Sequence, residues 1–317
     1  MKYLITGGAG FIGSHLVNRL LKKRKQVVVI DNFDSFYNPE IKKKNLEFYF
    51  NDEFFKFFEL DIRKTEKLKN FFNEQNIDVI VHLAARPGVR PSLENPFIYE
   101  DINVKGTISL LECSREYGIK NFIFASSSSV YGVSNKVPFK ETDPINKIIS
   151  PYGISKRSGE LYCYTYNHLY DIPIICLRLF TVYGPRQRPE MAIHKFMRLI
   201  EMDKRVSVYG DGSSRRDYTY IDDIIDGIES VLNRKNDFDI INFGNSAPVE
   251  LNYLISLIED ALGKKAKIEN KPEQPGDVPI TYADISKAKK ILGYNPQVTI
   301  EDGIKKMTQW YRTFGKI

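Results

Sequence analysis

The chain has 317 residues, of which 42% are hydrophobic and 27% charged, with a formal net charge of +6. That balance belongs to a globular protein with material for a large core, too long for one ordinary small domain. It excludes membrane-spanning helices, since no apolar run reaches the roughly 18 residues a span needs. Three isolated cysteines (Cys113, Cys163, Cys176) and four scattered histidines (His15, His82, His168, His194) offer neither a disulfide framework nor a metal site. The excess of positive charge suits a small polyanionic ligand as well as a nucleic acid. However, the lysines sit in two short runs, Lys22-Lys23-Arg24-Lys25 and Lys42-Lys43-Lys44, without any nucleic-acid motif, and each run reads as a solvated helix end.

The first residues set the pattern for the rest. Tyr3 to Ile5 reads as a buried strand, followed by Gly7-x-x-Gly10-x-x-Gly13 and a helix over Phe11 to Leu21. Gly7 permits the sharp turn, Gly10 a close backbone approach to a pyrophosphate, and Gly13 tight packing of helix on strand. The first helical N–H groups and the dipole then face phosphates. Val27 to Ile30 forms a second strand ending in Asp31, placed to accept the ribose hydroxyls of an adenosine and to repel a 2′-phosphate. Strand, glycine triplet, helix and acidic strand tip together predict a dinucleotide site for NAD rather than NADP. Its contacts are expected from Gly7, Gly10, Phe11, Ile12, Gly13, Asp31 and Asn32. A chain that starts directly on a core strand is expected to carry no signal peptide and to be cytoplasmic.

Farther along, Asn32 to Pro39 is a polar-aromatic loop over the adenosine side. Strand Phe55 to Leu60 ends in Asp61 and Ile62, placed to meet the adenine. A helix over Thr65 to Asn73 leads to strand Asp78 to His82, and then to Leu83, Ala84 and Ala85, small enough for the dinucleotide to lie against the strand end. Pro96 to Tyr117 reads as one long helix; Asn103 falls within it and is counted with the cofactor contacts. Strand Phe122 to Ala125 runs into Ser126-Ser127-Ser128-Ser129-Val130-Tyr131-Gly132. Repeated β-α units imply an α/β fold of the Rossmann type, a doubly wound parallel sheet with ligands outside the carboxyl ends of its strands.

A helix from Ser150-Pro151 to about Tyr170, with Ser as N-cap and Pro in the first turn, carries Tyr152 and Lys156 on one face. Strand Pro173 to Leu177 follows. Beyond it the alternation lapses into a helix over Met191 to Met202, a short strand at Val206 to Tyr209, and a charged loop at Arg215 to Tyr220. Residues 239–243 are apolar enough to rejoin the main sheet, and helices at Leu251 to Leu262 and Ile300 to Thr313 close the chain. Residues 1–180 are thus expected to form the NAD-binding domain, to which the chain returns near 239–243, and residues 181–317 a smaller substrate-binding domain.

A tyrosine titrates near 10 in isolation, too high for a base at neutrality. A neighbouring ammonium and a positive nicotinamide ring favour its phenolate, so Tyr152 with Lys156 makes a general base for a secondary alcohol. Ser127 is the candidate for a third group facing that alcohol. Ser128 and Ser129 are either substrate contacts or loop hydroxyls bonded to backbone.

In combination, the glycine triplet, Asp31, Ser126 to Gly132, Tyr152-x-x-x-Lys156 and Arg215-Arg216-Asp217-Tyr218 resemble the extended short-chain dehydrogenases acting on nucleotide sugars, over essentially the whole chain. Within them the chain is most similar to the NAD-dependent UDP-glucuronate 4-epimerases. The stretches that carry this likeness are Asp31-Asn32-Phe33, Pro87 to Ser92 with Arg90, Thr181 to Pro189, and Gln274 to Pro279. The resemblance implies an isomerase in which Tyr152, assisted by Ser127, takes the proton of the sugar 4-hydroxyl while C4 is oxidised by tightly held NAD. The 4-keto sugar then turns over and is reduced on its other face. It further implies Lys156 on the nicotinamide ribose, Arg216 on the diphosphate, Asp277 near the uridine ribose, Arg90 among the substrate contacts, and a homodimer pairing the long helices.

Family dehydratases and decarboxylases carry an acidic residue before the Val-Tyr-Gly, where this chain has Ser127-Ser128-Ser129. Galactose epimerases of the family usually show Arg at Gln274 and Asn at Thr181. A uronic acid oxidised at C4 is a β-keto acid that tends to lose CO₂, so its carboxylate needs a firm hold. Arginine's planar fork suits that task, and Arg188 is expected to supply it, with Thr181, Ser128 and Ser129 as neutral donors; the competing role for Arg188 is a second diphosphate contact. Arg186 is open between a surface and a dimer role. The alternatives are a UDP-glucose 4-epimerase, a stereospecific decarboxylase, and, from another class, a non-catalytic NAD-sensing module, against which the retained Tyr152 and Lys156 speak.

Overall fold

The computed structural model describes residues 1–133, 136–234, 238–273 and 278–315. Six strands of the first half arise from short, β-branched and aromatic runs. They are β1 (Lys2–Thr6), β2 (Gln26–Asp31), β3 (Phe55–Glu59), β4 (Val79–His82), β5 (Asn121–Ser127) and β6 (Ile174–Leu179). Successive side chains of a strand point to opposite faces. Tyr3, Ile5, Val27 and Val29 therefore enter one apolar cluster, while Leu4, Val28 and Ile30 enter another on the far side. A sheet covered on both faces reads as near-continuous apolar sequence, as these strands do.

Beyond β6 come β7 (Thr181–Tyr183), β8 (Arg205–Tyr209), β9 (Arg215–Tyr220), β10 (Phe238–Phe243), β11 (Pro248–Glu250) and β12 (Lys267–Lys271). The main sheet has seven strands in the order β10-β6-β5-β4-β1-β2-β3, all parallel. Its strand order reverses between β1 and β4, which is where such sheets open a crevice at the carboxyl ends. The doubly wound Rossmann-type fold is thereby borne out, and the return of 239–243 is β10, paired with β6.

Two expectations are corrected. The segment Arg215 to Tyr220 is no loop: it is β9, parallel to β7 and antiparallel to β11. Its charged residues hid it, yet Asp217 is fully buried and accepts hydrogen bonds from the backbone N–H groups of Asn245 (2.8 Å), Ser246 (3.1 Å) and Ala283 (3.0 Å). The helix expected over Pro96 to Tyr117 is continuous in course but interrupted by a wide π turn, Glu100–Lys105, between helical segments Pro96–Tyr99 and Gly106–Glu116. Such turns redirect side chains that an unbroken helix would aim elsewhere. Here the redirected side chain is Asn103.

The helix Pro151–Tyr170 begins as its sequence predicts: the Ser150 side chain accepts from the Gly153 N–H at 3.0 Å, and Pro151 occupies the first turn. Apolar residues of the second half, among them Ile193, Met197, Val206, Ile224 and Ile304, join the cluster on one face of the main sheet. Among the described residues no helix is long and apolar enough to cross a membrane.

Candidate active site

A cleft of about 410 Å³ lies over the carboxyl ends of β1 to β6, within the size range of small-ligand pockets. Its floor begins at the glycine turn. Gly7 has φ +69°, and a Cβ there would stand 2.8 Å from the backbone of Ala84, while one on Gly13 would stand 2.3 Å from the Gly7 carbonyl. Turn, helix start and β4 end therefore meet backbone to backbone, leaving a smooth cradle that side chains would fill. Such a cradle fits the pyrophosphate of a dinucleotide. Gly7, Gly10, Phe11, Ile12 and Gly13 all line the cleft, as do Asp31, Asn32, Asp61, Ile62, Leu83, Ala84 and Ala85.

Asp31 is nearly buried and accepts from the backbone N–H groups of Ala9 (3.2 Å) and Phe33 (2.9 Å). Burial raises its pKa, with Lys42 and the two N–H groups opposing. Asn32 donates to Asp61 at 3.2 Å, and Asp61 is paired with Arg63 at 2.6 Å. Asn103 does not line the cleft. Its amide is committed to the backbone of Arg86, accepting at 2.6 Å and donating at 3.0 Å, and it donates to the Ser155 hydroxyl at 2.9 Å. That clamp lies behind the cofactor wall, a position the π turn creates.

At the other end of the cleft stand Ser127, Ser128, Ser129, Tyr152, Lys156, Thr181 and Arg188. Gly153 makes this cluster possible: a Cβ there would stand 2.7 Å from the Ser129 carbonyl, so the helix Pro151–Tyr170 packs directly on the turn that ends β5. The Ser127 oxygen accepts from the Ser129 N–H at 3.1 Å, and its hydroxyl faces both Ser129 and the Tyr152 phenol.

Burial raises the pKa of Tyr152, opposed by the hydrogen bond of Ser127 and the charge of Arg188. The Lys156 ammonium donates to the Ala125 carbonyl at 2.7 Å and lies 5.1 Å from the centre of the Phe124 ring. Burial also pulls Lys156 itself down to about 8.

Arg188 pairs through Nε with Glu190 at 3.2 Å and keeps its guanidinium 5.9 Å from the Phe36 ring. Arg90 and Arg216 stand outside the cleft lining: Arg90 is exposed with its guanidinium 4.7 Å over Tyr209, and Arg216 donates to its neighbour's carbonyl at 2.9 Å. Arg186, which the sequence left undecided, donates to the Ser14 carbonyl at 3.2 Å. Asp277 and Gln274 lie outside the described residues.

The family model described as GDP-mannose 4,6 dehydratase matches residues 4–307. The chain belongs to the GDP-mannose 4,6-dehydratase family. Among solved structures, a UDP-glucuronic acid 4-epimerase from Bacillus cereus, in complex with UDP-glucuronic acid and NAD, superposes with a TM-score of 0.93 at 39% identity, covering 99% of both chains. A UDP-glucose 4-epimerase from Thermotoga maritima with UDP-glucose gives 0.92 at 33% identity, over 100% of both. A UDP-glucuronate 4-epimerase from Thermodesulfobacterium geofontis is 43% identical over 309 residues, 97% of this chain and 95% of that one. Membership in the GDP-mannose 4,6-dehydratase family does not fix the reaction, because these relatives are epimerases; the site has to decide it.

Several cleft residues escaped the sequence reading. Arg86 pairs with Asp34 at 2.5 Å and lies 4.6 Å from the Phe36 ring, joining the loops after β2 and β4. Lys42, expected as a solvated helix end, is buried, donates to the Asp34 carbonyl at 2.6 Å and lies 4.7 Å from the Tyr37 ring. The sequence shows a polar-aromatic loop here, but nothing local identifies its partners. Among the described residues no cluster of three metal-ligating side chains exists.

Proposed function

We propose that the chain is an NAD-dependent UDP-sugar 4-epimerase that interconverts UDP-glucuronate and UDP-galacturonate. The observation that carries this reading is the composition of the reacting end of the cleft. Tyr152, Ser127 and Lys156 meet there with Arg188, Thr181, Ser128 and Ser129, while the carboxylates of the lining, Asp31, Asp34 and Asp61, stand at the end of β2 or on the loops after β2 and β3. A base, a cation and neutral donors suit epimerisation of a uronic acid. A dehydration would ask for an acid beside the tyrosine.

Bound NAD supplies the oxidation of C4 and its reversal. The chain's residues do the remainder. Tyr152 takes the 4-hydroxyl proton and returns it, with Ser127 sharing that hydrogen bond. Arg188 and the hydroxyls of Thr181, Ser128 and Ser129 hold the sugar carboxylate, so that the β-keto acid cannot align its C–C bond for loss of CO₂. Lys156 holds the nicotinamide ribose once the cofactor is in place. The cofactor is held by the glycine turn, Asp31, Asn32, Asp61, Ile62 and the Leu83 to Ala85 wall. The nucleotide end of the substrate is assigned to Arg90, Arg216 and Asp277, and residues 1–180 with β10 and 181–317 are read as cofactor and substrate domains.

Phe97, Ile154, Leu161 and Leu169 are exposed on the segment Pro96–Tyr99 and the helix Pro151–Tyr170, an apolar face that fits a second copy of the chain. We therefore assign a homodimer, and three buried unbridged thiols accord with a cytoplasmic setting. The test is product analysis after incubation with UDP-glucuronate and NAD. UDP-galacturonate is the expected product; efficient turnover of UDP-glucose with UDP-glucuronate ignored would refute the carboxylate assignment.

A further inference from the structure

Beneath the cofactor cradle runs a chain of buried hydrogen bonds in which every donor can be assigned. The Ala84 N–H donates to Thr6 Oγ1 at 3.3 Å, and Thr6 Oγ1 lies 2.8 Å from His82 Nδ1. His82 Nε2 lies 3.0 Å from Thr107 Oγ1, which donates to the Asn103 carbonyl at 2.5 Å. A hydroxyl has one proton, and a carbonyl can only accept. Thr107 is therefore spent as a donor, so His82 Nε2 must carry hydrogen and donate to it. Nδ1 is then bare, and Thr6 must donate its own proton to it while accepting from Ala84. The direction is the same from end to end.

The chain continues into the catalytic helix. Asn103 donates to the Ser155 hydroxyl at 2.9 Å, and Ser155 donates to the Tyr152 carbonyl at 2.8 Å. Thr6, His82, Asn103, Thr107 and Ser155 are all at most 2% exposed. Buried this deeply, an unsatisfied member would keep the full cost of its burial.

We propose that His82 is a positioning residue: fixed as the neutral Nε2–H tautomer, it locks the Gly7 turn, the Ala84 wall and the helix of Tyr152 into one rigid cradle for the dinucleotide. Protonating Nδ1 would take away the acceptor of the Thr6 hydroxyl proton and force that proton to turn elsewhere in a buried site. Burial, and the nearby Lys156 charge, push the ring pKa down to about 3, in the same sense. The other faces of the ring meet Phe122 and Phe124, which carry no charge. The role rests on the NAD reading of the cleft; the tautomer does not.

The decisive variants are Thr107→Val and Thr107→Ser in the full chain, because Thr107 does not line the cleft. Valine keeps the shape and removes both bonds of the hydroxyl; serine keeps the hydroxyl. NAD affinity is expected to fall roughly five- to tenfold in Thr107→Val, as for one net buried hydrogen bond and its orphaned partner, and to return in Thr107→Ser. ¹⁵N-histidine NMR of the wild type should show a ring protonated at Nε2 alone and unchanged across roughly pH 5 to 8. A ring protonated at Nδ1, or one that titrates in that window, would overturn the tautomer. Wild-type NAD affinity in Thr107→Val would overturn the positioning role. A wild-type chain with the expected tautomer that bound no NAD would remove both the cofactor reading and the positioning role while leaving the tautomer standing.

Discussion

Replacing Glu160 by Gln should destabilise the protein far more than any surface pair could. Glu160 is fully buried, and Arg178, 1% exposed at its side chain, donates to both its oxygens at 2.8 and 2.9 Å. Ser126 adds a bond at 2.6 Å and Arg157 one at 2.8 Å, while Arg178 reaches the Tyr131 hydroxyl at 3.0 Å. Burial alone would raise the Glu160 carboxyl; the guanidinium and its companions more than reverse this and hold it below the ordinary carboxylate range. The variant leaves a guanidinium buried without a counter-charge, at a cost of about 3–5 kcal/mol. For a chain of 317 residues one kcal/mol corresponds to about 1.5 °C of midpoint, so Tm should fall by about 4–8 °C. The pair joins the helix of Tyr152 to β6, and Ser126 of β5, next to Ser127, bonds the same carboxylate, so kcat should fall as well. Urea titration of wild type, Glu160→Gln, Arg178→Met and the double variant completes a cycle. The double variant should lose less than Glu160→Gln, since no charge remains stranded. A loss below about 1 kcal/mol in Glu160→Gln, the range of an exposed pair such as Lys43–Glu40, would refute the reasoning. The native state also holds this carboxylate ionised below the unfolded pKa, so its contribution is present above that value and is lost as pH falls through the native one.

Tyr152→Phe should abolish turnover while NAD still binds; residual activity within tenfold of wild type would remove the phenol from the mechanism. Lys156, pulled down to about 8 from 10.5 by burial, binds fewer protons in the native than in the unfolded state between those values, so its contribution makes the ligand-free protein more stable as pH rises through them. Thermal midpoints of Lys156→Met should lack that rise, and an unchanged pH slope would contradict it. Arg188→Met should raise KM for UDP-glucuronate by roughly 10- to 100-fold, the worth of a charge-assisted hydrogen bond, and should let UDP-pentose appear among the products. A variant with wild-type KM and no such product would assign Arg188 elsewhere.

Local chemistry was readable from sequence wherever it was complete within one turn or one strand. The glycine spacing, the Asp31 strand tip, the Ser150-Pro151 helix start and the Tyr152-Lys156 face all need only residues close in the chain, and each stands where its spacing placed it. Interactions across the sheet were hidden. Nothing near Glu160 names Arg178 as its partner, nothing near Lys42 announces that it is buried, and β9 was concealed because the burial of Asp217 depends on backbone N–H groups from residues 245, 246 and 283. The π turn is likewise a tertiary choice: the sequence from Pro96 to Tyr117 has helical periodicity throughout, and only packing against the catalytic helix and the Arg86 loop shows why Asn103 is turned inward. The direction of the Lys156 ammonium is of the same kind, since the Ala125 carbonyl that it meets lies on another element.

The central claim is that C4 of the sugar gives up its hydrogen and regains the same one on the opposite face. UDP-glucuronate carrying deuterium at C4 tests it in one measurement, the mass and NMR spectrum of the product. The account predicts UDP-galacturonate with the label kept at C4 and no net consumption of NAD. Loss of the label to solvent, or product formed with one NAD spent per turnover, would contradict it.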